Sequence, residues 1–146
     1  ADANCFAAVW TPELHFHAFG GLYPNPAVTS AAIATITERV QIRAGSIVLP
    51  LHNPLRVAED WAVIDQLSKG RVGLSFASGW HVNDFAFMPD AYERRRDVML
   101  EHIDTVLQLW RGGTVQVPNG AGTLIDVAVL PRPVQADPPI WIASAG

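Results

Sequence analysis

The feature that most narrows the fold of this chain is a repeated order of apolar runs and helix starts. Asn25-Pro26 and Asn53-Pro54 each set an N-cap residue before a proline at the first helical position, and they lie about one βα unit apart. Residues 5–10, 40–49, 72–77 and 140–143 are strand-length apolar runs that do not alternate with polar residues. Strands apolar on both faces belong to parallel sheets covered by helices. Behind Asn25, the positions Val28, Ala32, Ile33, Ile36 and Val40 recur at helical spacing, and behind Asn53 so do Leu55, Ala58, Trp61, Ala62 and Leu67. Lys69-Gly70 closes the second helix, and Gly45-Ser46 interrupts the second apolar run. Asp90 to Glu93 forms an Asp version of a capping box before a third helix, whose inner face carries Met99, Ile103, Val106, Leu107 and Trp110. Residues 112–129 read as an irregular hairpin.

This pattern predicts an α/β fold, and among α/β folds a (β/α)8 TIM barrel. Such a barrel takes about 250 residues. The 146 residues here therefore correspond to a single partial barrel domain over 1–146, about strands 2 to 5 with their helices, truncated at both ends. A doubly wound sheet is the alternative, but no G-x-G-x-x-G follows any strand.

Composition excludes several function classes. Apolar residues make up 49% and charged residues 16%, with a net charge of −4. The longest cationic block is Arg94-Arg95-Arg96, which reads as a solvated helix face, so neither nucleic acid nor an anionic membrane is an expected partner. One cysteine, Cys5, forms no internal disulfide framework. The uncharged run over residues 14–37 has membrane length but contains two histidines, paired glycines and two prolines. No basic region leads into an apolar stretch as in a secretory signal, so a cytoplasmic location is expected.

In either α/β architecture the working groups gather at the carboxyl ends of the strands. After the first strand come Glu13, His15 and His17; at the break in the second, Gly45 and Ser46; after the third, Ser78, Gly79, Trp80, His81 and Asp84; after the fourth, Ser144 and Gly146. His15 and His17 share a face in extended chain, but a metal site would require a third ligand, so no metal is expected. Gly79-Trp80-His81 is either a loop aromatic packed on a helix or a flat apolar surface beside a proton-transfer group, suited to a flavin-like heterocycle. Glycines at Gly45 and Gly79 would let a planar ring approach the backbone. Asp65 and Arg71 read as structural, the carboxylate able to pair with the guanidinium. No lysine stands at a strand end, which weighs against a Schiff-base aldolase.

Residues 8–26, containing Trp10-Thr11-Pro12-Glu13-Leu14-His15-Phe16-His17, and residues 45–54, containing Gly45-Ser46-Ile47-Val48-Leu49-Pro50, resemble the bacterial-luciferase-like flavin-dependent monooxygenases. Residues 58–61, 65–71 and 75–81 share the resemblance, which is greatest to the branch associated with polyketide and nonribosomal-peptide biosynthesis. It implies a (β/α)8 barrel that uses reduced FMN, supplied by a flavin reductase, and O2 to oxygenate a small-molecule or carrier-bound acyl or peptidyl substrate. It further implies that Gly45-Ser46, joined by a cis peptide, and Ala77, Ser78 and Gly79 line the flavin, that the loop at Ser144 to Gly146 helps hold its phosphate, and that a homodimer is possible.

Two positions depart from the family pattern. Leu14 stands where luciferases carry a catalytic histidine and the biosynthetic branch an arginine, and Ser78 stands where luciferases use an arginine near the phosphate. General acid-base work would then fall to His15, His17 or His81. The alternatives are an F420-dependent hydride-transfer enzyme on the same fold and a non-catalytic flavin-binding or docking domain of a synthase.

Overall fold

The computed structural model describes residues 1–18 and 21–143. Strands β1 (Ala8–Thr11), β2 (Gln41–Ala44), β3 (Ile47–Val48), β4 (Val72–Ala77) and β7 (Ile140–Ala143) form a five-stranded sheet, all of whose pairings are parallel. β2 and β3 are two halves of one interrupted strand: β2 pairs with the start of β4 at Ile42 and Val72, and β3 with its end at Ile47 and Phe76. Across the sheet the order is therefore β1, then β2 and β3, then β4, then β7, which is the order along the chain. A doubly wound sheet would reverse direction at a switch point. β5 (Val115–Pro118) and β6 (Leu124–Val127) form the expected hairpin as a separate antiparallel pair.

The helices α1 (Pro26–Ile36), α2 (Pro54–Ser68) and α3 (Arg95–Trp110) pack in succession, α2 against both of its neighbours. Ile42, Ala44, Val72, Leu74 and Phe76 join Trp61, Ala62, Ile64, Val106, Leu109 and Trp110 in one core, in which Trp61 and Trp110 are fully buried. Burying a large apolar side chain stabilises by roughly 1.5–3 kcal/mol, so this layer carries most of the fold's stability.

Both Asn-Pro starts behave as expected. Asn25 Oδ1 accepts from the N–H groups of Ala27 and Val28, and Asn53 Oδ1 from that of Leu55. The buried face of α1 differs from the expected one. Pro26, Ser30 and Ala34 are buried, whereas Val28 and Ile36 are exposed. Small residues at this spacing let α1 lie close to β1, where the Ser30 and Thr11 hydroxyls meet at 2.8 Å. In α2, Val57 and Ile64 are buried and Leu67 is exposed. The capping box at Asp90 does not form: Pro89–Ala91 is a separate 3-10 turn, and α3 starts at Arg95 with no side-chain cap. Successive N–H groups of this stretch bond carbonyls three residues back, Tyr92 to Pro89 and Arg95 to Tyr92, which leaves no extended residue for a capping side chain.

Asp65 and Arg71 do not pair. Buried Asp65 instead accepts from the N–H groups of Val134 and Gln135 and from the Gln135 side chain, tying the segment before β7 to α2. Arg71 donates to the carbonyls of Ala34, Thr37, Val40 and Ser68. Its planar fork thus satisfies acceptors freed at the end of α1 and binds α1, β2 and α2 together. Replacing Asp65→Asn turns an amide N–H2 toward groups that are themselves donors. The expected cost is about 1–3 kcal/mol, measured as a lowered urea midpoint with unchanged slope; an unchanged midpoint would refute this role.

Candidate functional site

The carboxyl ends of the parallel strands bring together the segment after β1, the break between β2 and β3, and the loop after β4. Gly45–Ser46 is a cis peptide, as the family resemblance implies. The Ser46 hydroxyl meets that of Ser75 on β4 at 2.8 Å, and Ala77, Ser78 and Gly79 follow, all half-buried. These residues form a small-residue floor bearing a hydroxyl pair. Exposed Trp80 stands at its edge, perpendicular to the His81 ring.

The chain's own packing also bears on the glycines. A Cβ on Gly79, whose φ is +81°, would lie 2.8 Å from Val48 Cγ1 and 2.9 Å from Phe85. A Cβ on Gly45 would lie 3.0 Å from Trp10 Cβ. Both positions are held small by the protein's own packing. Farther down the same sheet face, the Arg43 guanidinium lies over the rings of both Trp10 and Trp141, with centroid distances of 5.2 and 4.6 Å, while its donors meet Gln41 Oε1.

The strongest polar feature is Glu13, whose side chain is fully buried. One oxygen, Oε1, lies 2.7 Å from His15 Nε2 and 2.6 Å from His52 Nε2; the other accepts the Val48 N–H at 2.7 Å. Burial alone pushes the Glu13 carboxyl up. The hydrogen bonds from His15 and His52, the charge on His52 and the Val48 N–H outweigh it and hold the group below its ordinary value. The Glu13 hydrogen bond raises His15 above its ordinary value against its own burial, with help from the charges of Glu13 and Asp84. His15 also packs edge-on against Phe87 at 4.9 Å.

His81 and buried Asp84 face each other at 3.4 Å, yet His81 Nδ1 and Asp84 Oδ1 have no aligned hydrogen-bond partner. Phe16, Val82, Asn83, Phe85, Ala86, Pro89 and Tyr92 line an open cleft of about 580 Å³ beside this loop. Of the expected proton-transfer residues, His15 joins the Glu13 cluster and His81 the Asp84 pair, whereas His17 is exposed. Ser144 and Gly146 lie outside the described residues. His52 was not anticipated from sequence, because it precedes a helix start and its partner lies 39 positions away. Among the described residues, no group of three histidine, cysteine or acidic side chains is arranged to hold a metal ion.

The shared carboxylate has a measurable consequence. The depressed Glu13 carboxyl contributes stability that is present above its unfolded value and is lost as the pH falls. The raised His15 contributes stability that is present below its unfolded value and is lost as the pH rises. With unfolded values of about 4.3 and 6.5, Glu13→Gln should destabilise most near about pH 5–6 and less on either side. Urea unfolding across pH checks this, and a pH-independent loss would contradict it.

Known proteins share the family and the fold of this chain. The family model of the luciferase-like monooxygenases matches residues 1–146. The chain is 30% identical, over 99% of its length, to the oxygenase component of a flavin-dependent trigonelline monooxygenase from Acinetobacter baylyi. It spans about 40% of the length of the curated relatives it matches. The crystal structure of the monooxygenase RslO1 from Streptomyces bottropensis superposes with a TM-score of 0.88 at 31% identity, covering 99% of this chain and 44% of that one. Two structures share the fold at lower identity. The FMN-bound oxygenating constituent of 3,6-diketocamphane monooxygenase from Pseudomonas putida has a TM-score of 0.80 at 17% identity, covering 97% of this chain and 42% of its own. The F420-dependent tetrahydromethanopterin reductase from Methanopyrus kandleri has a TM-score of 0.77 at 18% identity, covering 99% and 44%. By its match over the whole length and by the order of its strands, the chain belongs to the luciferase-like monooxygenase family.

Proposed function

We propose that this chain is a sector of a (β/α)8 barrel and carries part of the site of an FMN-dependent monooxygenase. The observation that carries this reading is the convergence, at the strand carboxyl ends, of the Ser46–Ser75 hydroxyl floor, the exposed Trp80 face and the Glu13-bound imidazole of His15. Supporting the barrel are strands that add in chain order and the share of relatives' length that the chain spans.

A three-ring isoalloxazine fits this donor set, with an apolar face for the ring and hydroxyls for its polar edge. Ser46, Ala77, Ser78 and the backbone at Gly45 and Gly79 would line it, and Ser144 to Gly146 would approach the phosphate. Bound reduced flavin would supply the electrons that activate O2. The chain's own contribution is to exclude water with Trp80, Phe16 and Phe87 and to hold a proton on His15. The proposed substrate is a small-molecule or carrier-bound acyl or peptidyl intermediate, supported by the likeness to the biosynthetic branch. A separate flavin reductase is the proposed partner, since the Acinetobacter relative is named an oxygenase component; a homodimer is the proposed assembly. None of the described helices is long and apolar enough to cross a membrane.

The test mixes the full-length protein and reduced FMN, prepared without oxygen, with oxygenated buffer and follows flavin absorbance. Reoxidation slower than that of free flavin supports the oxygenase, and reoxidation at the free rate refutes it. Tight binding of reduced F420 without FMN binding would favour hydride transfer, the reading to which the Methanopyrus structure's shared fold lends support. Trp80→Ala removes an exposed ring and should weaken FMN binding about three- to tenfold while leaving the unfolding midpoint in place. Leu14→Arg should raise turnover if Leu14 weakens an active enzyme, and unchanged turnover would favour a binding role.

A further inference from the structure

Glu13 Oε1 is shared by two imidazoles whose surroundings differ. The side chain of His15 is 7% exposed and lies against Phe87 at the strand ends. That of His52 is 33% exposed and lines the groove between α1 and α2 with Asn25, Ala27, Arg56, Asp60 and Ile64. Beneath this groove, a cavity of about 40 Å³ is bounded by His52, Asp60, Asn25, Ile47 and Trp61. A cavity of that size between polar groups can hold a water molecule. The outer ring thus reaches solvent on the helix side of the sheet, away from the proposed flavin floor.

From this geometry we infer that His52 is a positioning residue that sets the protonation of His15 through the Glu13 oxygen they share. Each Nε2 directs its hydrogen bond to the same atom at 2.6–2.7 Å, so the rings compete for one negative charge. A positive charge on the outer ring, held to the same oxygen, disfavours a proton on His15. Other charges bear on the pair: Asp84, on the turn after β4, favours a charged His15, while Asp60 on α2, itself pushed up by burial, stands beside His52 with Arg56 and Glu59 on the same helix. No group is transferred or oxidised in this role; only the occupancy of His15 by a proton changes. The inference deepens the proposed function, because His15 is the acid assigned there, but its physical basis requires no bound flavin.

The experiment is an NMR titration of the full-length protein, labelled with 15N at histidine, in wild type, His52→Ala and His52→Gln. Removing His52 deprives Glu13 of a donor and removes a competing cation, and both changes favour a proton on His15. The His15 midpoint should therefore rise by about one pH unit in His52→Ala and by less in His52→Gln, which restores a neutral donor. In active protein, the pH profile of turnover should move with it. A His15 midpoint that stays put in both variants while the spectra remain dispersed overturns the inference. A shift of turnover alone, without a shift of the His15 resonance, also overturns it. Should His52→Ala fail to fold, His52→Gln still decides: its amide keeps a neutral donor on Glu13 but can take up no proton, so a His15 midpoint unmoved there overturns the inference. Failure to bind FMN would refute the proposed function and leave the resonance test standing.

Discussion

A carboxylate removed from water must be met by donors, and the upper half of this fold is arranged around that requirement. Glu13 follows β1, His15 lies two positions on, Val48 is in β3, and His52 precedes α2. Meeting one buried anion fixes where the loop after β1 turns, how the interrupted strand resumes, and how the chain enters α2. An unmatched charge there would be several kcal/mol out of balance. The same contacts bring an imidazole to the strand ends with its proton favoured, so the structural solution and the chemical one coincide.

Below this cluster, the sheet face away from the helices is built differently. Gly73 accommodates the Trp141 ring, since a Cβ there would stand 2.8 Å from it, and Arg43 lies over both Trp141 and Trp10. The two rings meet edge-on at 5.1 Å. A guanidinium held over two aromatic rings gains cation–π attraction while its donors meet a neighbouring amide. Such a layer supports the floor above it without filling the strand ends.

Much of this was legible beforehand. β4 is the apolar run 72–77, and both Asn-Pro signals mark helix starts because capping and proline geometry act within a few residues. The failures follow a common rule. The buried stripe of α1 runs through Ser30 and Ala34 because close approach to β1 favours small residues over the larger Val28 and Ile36. Asp65 and Arg71 look like natural partners six positions apart, but each finds backbone groups that would otherwise be left without a bond. His52 gives no local sign of function at all.

The amino-acid sequence by itself therefore determined the alternation of strands and helices, the caps that start α1 and α2, the break at Gly45-Ser46 and the residue types at the strand ends. These depend on local backbone preference and on periodicity, which a neighbourhood of a few residues contains. Only the tertiary structure decided that His52 joins His15 on Glu13, which small residues face β1, and that Gly45 and Gly79 are kept small by Trp10, Val48 and Phe85. Those outcomes depend on contacts between segments far apart in the chain, where the cost of a buried unpaired charge or of overlapping atoms selects the partner and no local pattern encodes it.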